Sequence, residues 1–432
     1  MVGHRIGRAL REHAVSIAPT ASTPFPPQVA RSVDDARIVG LGEATHGTRE
    51  CFTTKHGLVK RLVTELGFRT IAFEADAAAA TVLDAYVRDG RDPVVGTAAD
   101  ADSALAELDM WQWQTESVRG LLDWLREFNA ERQLPDQVRI RGVDLSTPAA
   151  PVQPLRAYFE RVDPDAAQGE ALQTVADATL PDDADERERT LEAVAAATAT
   201  LAARLDANRD PYEAASSATA WQTASHLCRV VGQACEWARI RHREPGPHPD
   251  GMAARDRFMA ENALWALERD SGAGVALWAH DGHVQRGTFD DGTPWEDVTT
   301  MGDRLARELG DDYRPVGFDF ASGSFRAVGV GSGDVETFTV GEPPADSATA
   351  AFAAVDDAPY LLDLRGGADD PRLDGWLTSK RRTRYVGSVF DPDAGDGGSF
   401  AWTVLPASYD WLLVLPESTP TRPIGETRGQ NA

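Results

Sequence analysis

The stretch RIVGLGEATHGTRECFTTKHGLVKRLVTELGFRTIAFEA, residues 37–75, decides the fold class. Its beginning, Arg37–Glu43, and its end, Thr70–Ala75, are short apolar runs typical of buried strands. Between them, Thr48–Leu66 carries apolar residues at helical spacing, and Gly67 follows where a helix C-terminus favours glycine. A strand, a helix and a strand at this interval predict a βαβ unit, and therefore an α/β fold with a parallel sheet.

The rest of the chain extends this pattern and interrupts it once. Val138–Asp144 is a further strand-like run, whereas residues 150–255 are rich in Ala, Asp, Glu and Arg and predict a helical insertion with a joint at Pro181–Asp183. We expect a flexible tail over residues 417–432. Strand signals return after the insertion at Gly274–His280, Tyr313–Phe320, Ser324–Val330, Val335–Val340, Tyr360–Leu364, Tyr385–Phe390 and Trp411–Leu415.

Composition excludes several classes of protein. The chain has 432 residues, 42% of them hydrophobic, which is a globular composition. Lys and Arg number 43 and Asp and Glu number 68, so the formal net charge is 43 − 68 = −25. Such a charge repels phosphate backbones and anionic lipid, so we expect neither a nucleic-acid nor a membrane partner. Only three basic residues are lysine, and this composition favours a halophilic protein that is soluble at high salt over the alternative of a GC-rich genome.

The cysteines and the N-terminus indicate the compartment. Three cysteines without a C-x-x-C pair point to a reducing environment. The N-terminal residues read as a short amphipathic helix without the apolar core of a signal peptide. We therefore expect a cytoplasmic protein, of unknown oligomeric state.

Ionisable side chains follow four of the predicted strands. In open parallel sheets, ligands bind outside the carboxyl ends of the strands, so these groups are candidates for a common site. They are Glu43 and His46 after the first strand, Glu74 at the end of the second, Asp144 at the end of the third, and His280 and His283 after the fourth.

Two kinds of chemistry fit these residues. His46 beside Glu43 or Glu74 forms a pair that could activate water, since histidine is the natural base near neutral pH. His280 and His283 have a spacing that also suits a metal site, with a third ligand among the carboxylates or His46. A helix-capping role for His46 is the structural alternative to both.

Four further residues are candidates for contacts with a substrate. Arg49 lies in the first turn of the predicted helix, where its guanidinium could bind an oxyanion or a carbonyl oxygen. Lys55 lies in about the second turn, although a surface lysine is the commoner interpretation. Trp111 and Trp113 could line an apolar pocket or anchor the helical region. No G-x-S-x-G elbow and no phosphate-binding P-loop motif occurs.

These residues lie in a chain that resembles the erythromycin esterase family. The combination of G-E-x-x-H-G with a later W-A-H-x-x-H is the most specific part of this resemblance. The matching stretches are GLGEATHGTRE (40–50), TIAFEAD (70–76), WQWQTESVRGLLDWLREFN (111–129), IRGVDLS (140–146), ARDRFMAENALWAL (254–267), WAHDGHV (278–284) and MGDRLARELGDDYRPVGFDF (301–320).

The resemblance implies a hydrolase that adds water to a carboxylic ester or lactone without a metal or other cofactor, with His46 as general base. It also implies one catalytic domain over residues 1–432, with a three-layer α/β/α core and an inserted helical subdomain. Glu43, Glu74, His280 and His283 fall on the family's active-site positions, and we expect the two histidines, with a basic residue, to stabilise the oxyanion.

Two positions differ from the family pattern. Lys55 stands where the family commonly has Arg. Asp281 stands where the family usually has Asn, and its charge should favour protonated forms of the neighbouring histidines.

Overall fold

The computed structural model describes residues 2–18, 20, 26–90, 94–243, 248–269, 273–289, 295–373 and 375–425. The chain divides into two compact units. Unit 1 contains residues 1–71, 111–121 and 263–432, and unit 2 contains residues 72–110 and 122–262. Each unit is assembled from separated segments of the chain.

Unit 1 contains most of a mainly parallel sheet, which confirms the predicted α/β fold. Its strands are ordered β1-β8-β12-β6-β2-β5, with β7 and β10 paired to β6 and a separate antiparallel pair, β9 and β11. The pairings β2–β5, β2–β6 and β6–β12 are parallel. The strands are β1 (Ala14–Ser16), β2 (Ile38–Leu41), β5 (Val275–Trp278), β6 (Tyr313–Gly329), β7 (Val335–Val340), β8 (Tyr360–Asp363), β9 (Arg381–Arg384), β10 (Val389–Phe390), β11 (Phe400–Thr403) and β12 (Trp411–Ser418).

The helices of unit 1 lie between these strands in the sequence. The predicted helix after β2 is present as α3, and the predicted glycine after it, Gly67, adopts φ +74°. The helices are α1 (Val2–Glu12), α2 (Pro27–Val33), α3 (Arg49–Glu65), α14 (Asp281–Val284), α15 (Met301–Leu309), α16 (Ala348–Ala353), α17 (Leu364–Ala368) and α18 (Leu405–Ser408).

Strand β6 is longer than the sequence predicts. Two strands were expected, over Tyr313–Phe320 and Ser324–Val330, but one strand runs through both. The first half pairs with β2 and β12, and from Gly323 onward the second half pairs with β7. Because each half has its own partner, the backbone continues without a break. Residues Tyr385–Phe390 form only the short strand β10, whereas β9 and β11 were not predicted, since Arg381–Arg384 has no apolar alternation.

Unit 2 is mostly helical. Its two neighbouring strands are β3 (Thr70–Asp76), which enters the unit at Ala72, and β4 (Arg139–Asp144). Between Val152 and Arg269 the described residues form helices and no strand. The helices are α4 (Ala80–Val87), α5 (Ala101–Ala106), α6 (Glu116–Ala130), α7 (Val152–Val162), α8 (Pro164–Ala167), α9 (Glu170–Ala176), α10 (Ala184–Ala207), α11 (Arg209–Ala215), α12 (Ala218–Arg241) and α13 (Pro249–Arg269), of which α6 and α13 cross the unit boundary.

Capping and burial explain the long helices of unit 2. The predicted joint at Pro181–Asp183 ends in the N-cap of α10, where the Asp183 carboxylate accepts a hydrogen bond from the Glu186 backbone N–H. Ser217 caps α12 in the same way. Leu191, Leu201 and Leu205 of α10 are buried in a cluster with residues of α12. Packing of these apolar faces therefore stabilises the helical unit.

The C-terminal segment differs from the flexible tail predicted over residues 417–432. Ser418 belongs to β12, and the Thr419 backbone N–H and hydroxyl both donate to the Glu50 carboxylate. Further on, Thr421 donates to the Gly47 carbonyl and Ile424 to the Gln114 carbonyl. Residues 417–425 are thus bound to the rest of unit 1, and residues 426–432 lie outside the described part of the chain.

No helix in the described ranges combines the length and apolarity that crossing a bilayer requires.

We predict that Gly47→Ala lowers the free energy of unfolding by about 1–3 kcal/mol. A Cβ at Gly47 would lie 1.9 Å from the backbone oxygen of Arg326 and 2.4 Å from its nitrogen, and backbone atoms of β6 cannot move aside easily. Urea denaturation of both proteins measures the difference. Gly331→Ala is the matched control, because nothing lies within 4 Å of a Cβ there. Equal stabilities of the two variants would contradict the close approach of this loop to β6.

Candidate active site

The loop after β2 holds Glu43 and His46 in direct contact. The Nδ1 atom of His46 lies 2.5 Å from Oε1 of Glu43. The Glu43 side chain is fully buried, and His46 is only 6% exposed. Because an ionised carboxylate can only accept, Nδ1 carries the proton, and the tautomer with its proton on Nδ1 has its lone pair on Nε2. This is the arrangement that a general base requires.

Lys55 of α3 binds the other oxygen of Glu43. Its ammonium group donates to Oε2, and its side chain is 0% exposed. The ammonium also lies 4.4 Å from the ring centre of Trp278, 5.4 Å from that of Phe52 and 5.5 Å from that of Phe318. Lys55 is therefore the buried partner of Glu43, and its contact with a substrate stays a prediction.

The ion pair is charged near neutral pH. Burial alone would raise the pKa of Glu43, but Lys55 and His46 outweigh burial and lower this pKa below its usual value of 4.5. Burial lowers the pKa of Lys55 against the opposing attraction of Glu43, starting from 10.5. Since Glu43 stays ionised and the lysine begins far above neutrality, we assign a carboxylate and an ammonium to this pair.

His280 lies beside His46, but the backbone engages both of its nitrogens. Its Nδ1 accepts from the Gly282 backbone N–H at 3.1 Å, so Nε2 carries the proton and donates to the Val386 carbonyl at 3.0 Å. The rings of His280 and His46 are 5.0 Å apart. His280 thus caps α14, and its role in stabilising an oxyanion stays a prediction.

His283 occupies the last turn of the short helix α14. It is 6% exposed, and its ring packs edge-on against Phe289 with centres 5.7 Å apart. No three His, Cys, Asp or Glu side chains of the described ranges converge in a way that could hold a metal ion.

Asp281, next to His280 in the sequence, binds the backbone of β6. Both of its carboxylate oxygens accept from the Phe318 backbone N–H, at 3.1 and 3.2 Å. Burial raises the pKa of Asp281 well above its usual value. A raised pKa weakens the charge that Asp281 brings beside the histidines, and its effect on their protonation stays a prediction. The loop after β2 is shaped to accommodate Asp281. Gly42 makes room for it, since a Cβ there would lie 1.8 Å from Oδ1 of Asp281.

Glu74 and Asp144, at the ends of β3 and β4 in unit 2, share one arginine. Arg255 of α13 donates to Glu74 at 2.8 Å and to Asp144 at 2.6–3.2 Å. Burial opposes the charge of Arg255, but the two carboxylates outweigh it and raise the pKa of the guanidinium. The predicted convergence of Glu74 and Asp144 is present within unit 2, with a cation that balances them.

The remaining predicted residues differ in exposure. The Arg49 side chain is 36% exposed and lies 3.2 Å from Glu50. Trp111 lies under the Arg326 guanidinium at 5.5 Å. Trp113 is 1% exposed and packs against Phe52 and Trp278 in the core, and its contact with a substrate stays a prediction.

Trp278 and Arg255 were missed by sequence reasoning. Trp278 donates its indole N–H to Oε2 of Glu43 at 3.1 Å. Both residues lie within stretches that carry the family resemblance, WAHDGHV and ARDRFMAEN, which is the signal that could have identified them. The apolar pattern alone does not indicate a role for Trp278, because a tryptophan is also an ordinary last residue of a buried strand.

Comparisons with known proteins identify the family to which this α/β chain belongs. The sequence model described as Erythromycin esterase matches residues 63–418, which is most of the chain. The chain therefore belongs to the erythromycin esterase family. The matched range begins after Glu43, His46 and Lys55, which lie in the segment just before it.

Individual relatives agree with this assignment. The chain is 24% identical to the erythromycin esterase type II of Escherichia coli over 68% of this chain and 72% of that protein. It is 23% identical to the putative hydrolase YbfO of Bacillus subtilis over 89% of this chain and 84% of that protein.

Solved structures share the fold. A crystal structure of a succinoglycan biosynthesis protein matches with a TM-score of 0.79 and 21% identity, over 97% of this chain and 98% of that one. A mutant erythromycin esterase in its open conformation matches with a TM-score of 0.63 and 18% identity, over 93% and 95% of the two chains.

We predict that Asp281→Asn stabilises the protein at alkaline pH and has little effect at acid pH. A carboxyl group with a raised pKa in the folded state contributes stability that is full below about pH 4 and is lost as the pH rises through the folded pKa. Asn cannot ionise, so the stability of the variant relative to the wild type should grow between about pH 5 and pH 8. Urea denaturation at both pH values measures this difference, and a difference that is constant with pH would contradict a buried neutral acid.

Proposed function

We propose that this protein hydrolyses a carboxylic ester or lactone with a water molecule activated by His46. The observation that carries the proposal is the 2.5 Å contact between Nδ1 of His46 and Glu43, which leaves Nε2 as the base. Membership of the erythromycin esterase family supports hydrolase chemistry. The name of the E. coli relative suggests a macrolide-like lactone as one substrate to test.

The reaction follows from the protonation of His46. Nε2 takes a proton from water while the water oxygen attacks the carbonyl carbon of the ester. Glu43 stabilises the imidazolium that forms, because its carboxylate accepts a hydrogen bond from the Nδ1–H group. The tetrahedral intermediate then expels the alkoxide, which receives the proton from Nε2. The products are a carboxylic acid and an alcohol, or one open hydroxy acid when the substrate is a lactone.

The charge that develops on the carbonyl oxygen requires a donor. His280 is engaged with the backbone through both nitrogens. We therefore assign this role to Arg49, whose side chain is 36% exposed and can reach a substrate. Arg49 lies three positions after His46 in the sequence. The roles of His283, Trp111, Glu74 and Asp144 stay predictions.

A small-molecule substrate and a cytoplasmic location complete the proposal. All three cysteines are free and buried, and free thiols are typical of proteins in a reducing compartment. Burial raises the pKa of Cys51 well above its usual value, so this thiol near His46 in the sequence is not proposed as a nucleophile.

We predict that His46→Ala lowers ester turnover by about 10²–10⁴-fold while the protein stays folded, because the general base is lost. Turnover of a panel of esters and lactones, together with thermal melting, measures both properties. His13→Ala is the matched control, since His13 also binds a carboxylate, that of Asp370 at 3.0 Å. It should keep wild-type turnover.

Chelation of the purified protein separates the alternatives. The proposal predicts unchanged turnover after chelation, and near-normal turnover in folded His46→Ala would remove His46 from the mechanism. Activity that is lost on chelation and restored by zinc would favour a metal-dependent hydrolase. Binding of these compounds without any turnover would favour a non-catalytic binding protein.

A further inference from the structure

Trp278, the last residue of β5, contacts both members of the buried ion pair. Its indole N–H donates to Oε2 of Glu43 at 3.1 Å. The same ring lies 4.4 Å from the ammonium of Lys55. Trp278 is 0% exposed, so water does not compete for either contact. One side chain thus holds the anion by a hydrogen bond and the cation by its π face.

These contacts fix the rotation of the Glu43 carboxylate plane. One oxygen, Oε2, receives two donors, the Lys55 ammonium and the Trp278 indole, whereas the other, Oε1, receives His46. Lys55 alone, a point charge on a flexible stem, would tolerate a range of carboxylate rotations. The rigid indole has one donor in a fixed direction, so it restricts the carboxylate to the rotation in which the second oxygen faces His46.

We propose that Trp278 is a positioning residue of this site, an inference that rests on the proposed function of His46. It holds Glu43 in the single orientation that keeps a proton on Nδ1 of His46 and leaves Nε2 as the base. Removal of the indole N–H therefore impairs catalysis without removing any group that touches the substrate.

A purely structural role for Trp278 predicts different behaviour. The ring also packs against Phe52 with centres 5.2 Å apart and against Trp113 at 6.0 Å, so its truncation costs packing energy in any case. Trp278→Phe keeps an aromatic face for Lys55 and removes the indole N–H. Trp411→Phe is the matched control, because Trp411 of β12 is also buried, at 3% exposure, and donates its indole N–H to Ser32 at 2.8 Å.

The test combines kinetics with NMR of isotope-labelled histidine, in which the His46 signals are identified by their loss in His46→Ala. In Trp278→Phe we expect kcat to fall about tenfold with KM within about twofold, and the Nδ1 proton of His46 to exchange with solvent about tenfold faster. Trp411→Phe should match the wild type in all three quantities. If Trp278→Phe behaves as Trp411→Phe does, the positioning role is wrong.

The wild-type protein provides a second test that does not depend on a variant. Because Trp278 and His46 share Glu43, the indole N–H signal of Trp278 should move as His46 titrates, while that of Trp411 should not. An indole signal of Trp278 that ignores this titration overturns the inference. Failure of the wild type to hydrolyse any ester or lactone would overturn the proposed function instead, and the NMR result would still decide the role of Trp278.

Discussion

The ion pair between Glu43 and Lys55 is the interaction on which the proposed site depends. Both side chains are fully buried, and a buried charge without its partner is strongly destabilising. The pair brings the loop after β2 onto the second turn of α3, and Trp278 of β5 closes it from a third element. His46 then needs only one contact, to the free oxygen of Glu43, to become an oriented base.

Unit 2 also pairs buried carboxylates with a cation, but there the carboxylates outnumber the cation. There, one guanidinium balances two carboxylates, because Arg255 binds both Glu74 and Asp144. In each unit a cation from a helix reaches the buried carboxylates at strand ends, and such a partner offsets the cost of burying a charge. The family resemblance identified the acidic residues, whereas the cation in unit 2 became evident from the structure.

Local sequence patterns predicted most of the strands and helices. The features that they did not predict depend on contacts between residues that are distant in the sequence. The βαβ unit over residues 37–75 follows from apolar spacing and from Gly67, which are local signals. The continuity of β6 depends on β7 and β12, and the order of residues 417–425 depends on Glu50 and Gly47. Lys55 could be placed near the site, but its burial depends on the aromatic side chains around it, which no spacing rule reveals.

The most direct measurement is a double-mutant cycle on the ion pair. The free energy of unfolding is measured for the wild type, Glu43→Gln, Lys55→Met and the double variant. Each single change should cost about 3–5 kcal/mol, because it leaves one buried charge unpaired. The double variant should recover more than half of the summed cost, yet its turnover should fall by about 10²–10⁴-fold, because His46 has lost its carboxylate. Additive losses of stability, or wild-type turnover in the double variant, would contradict the account.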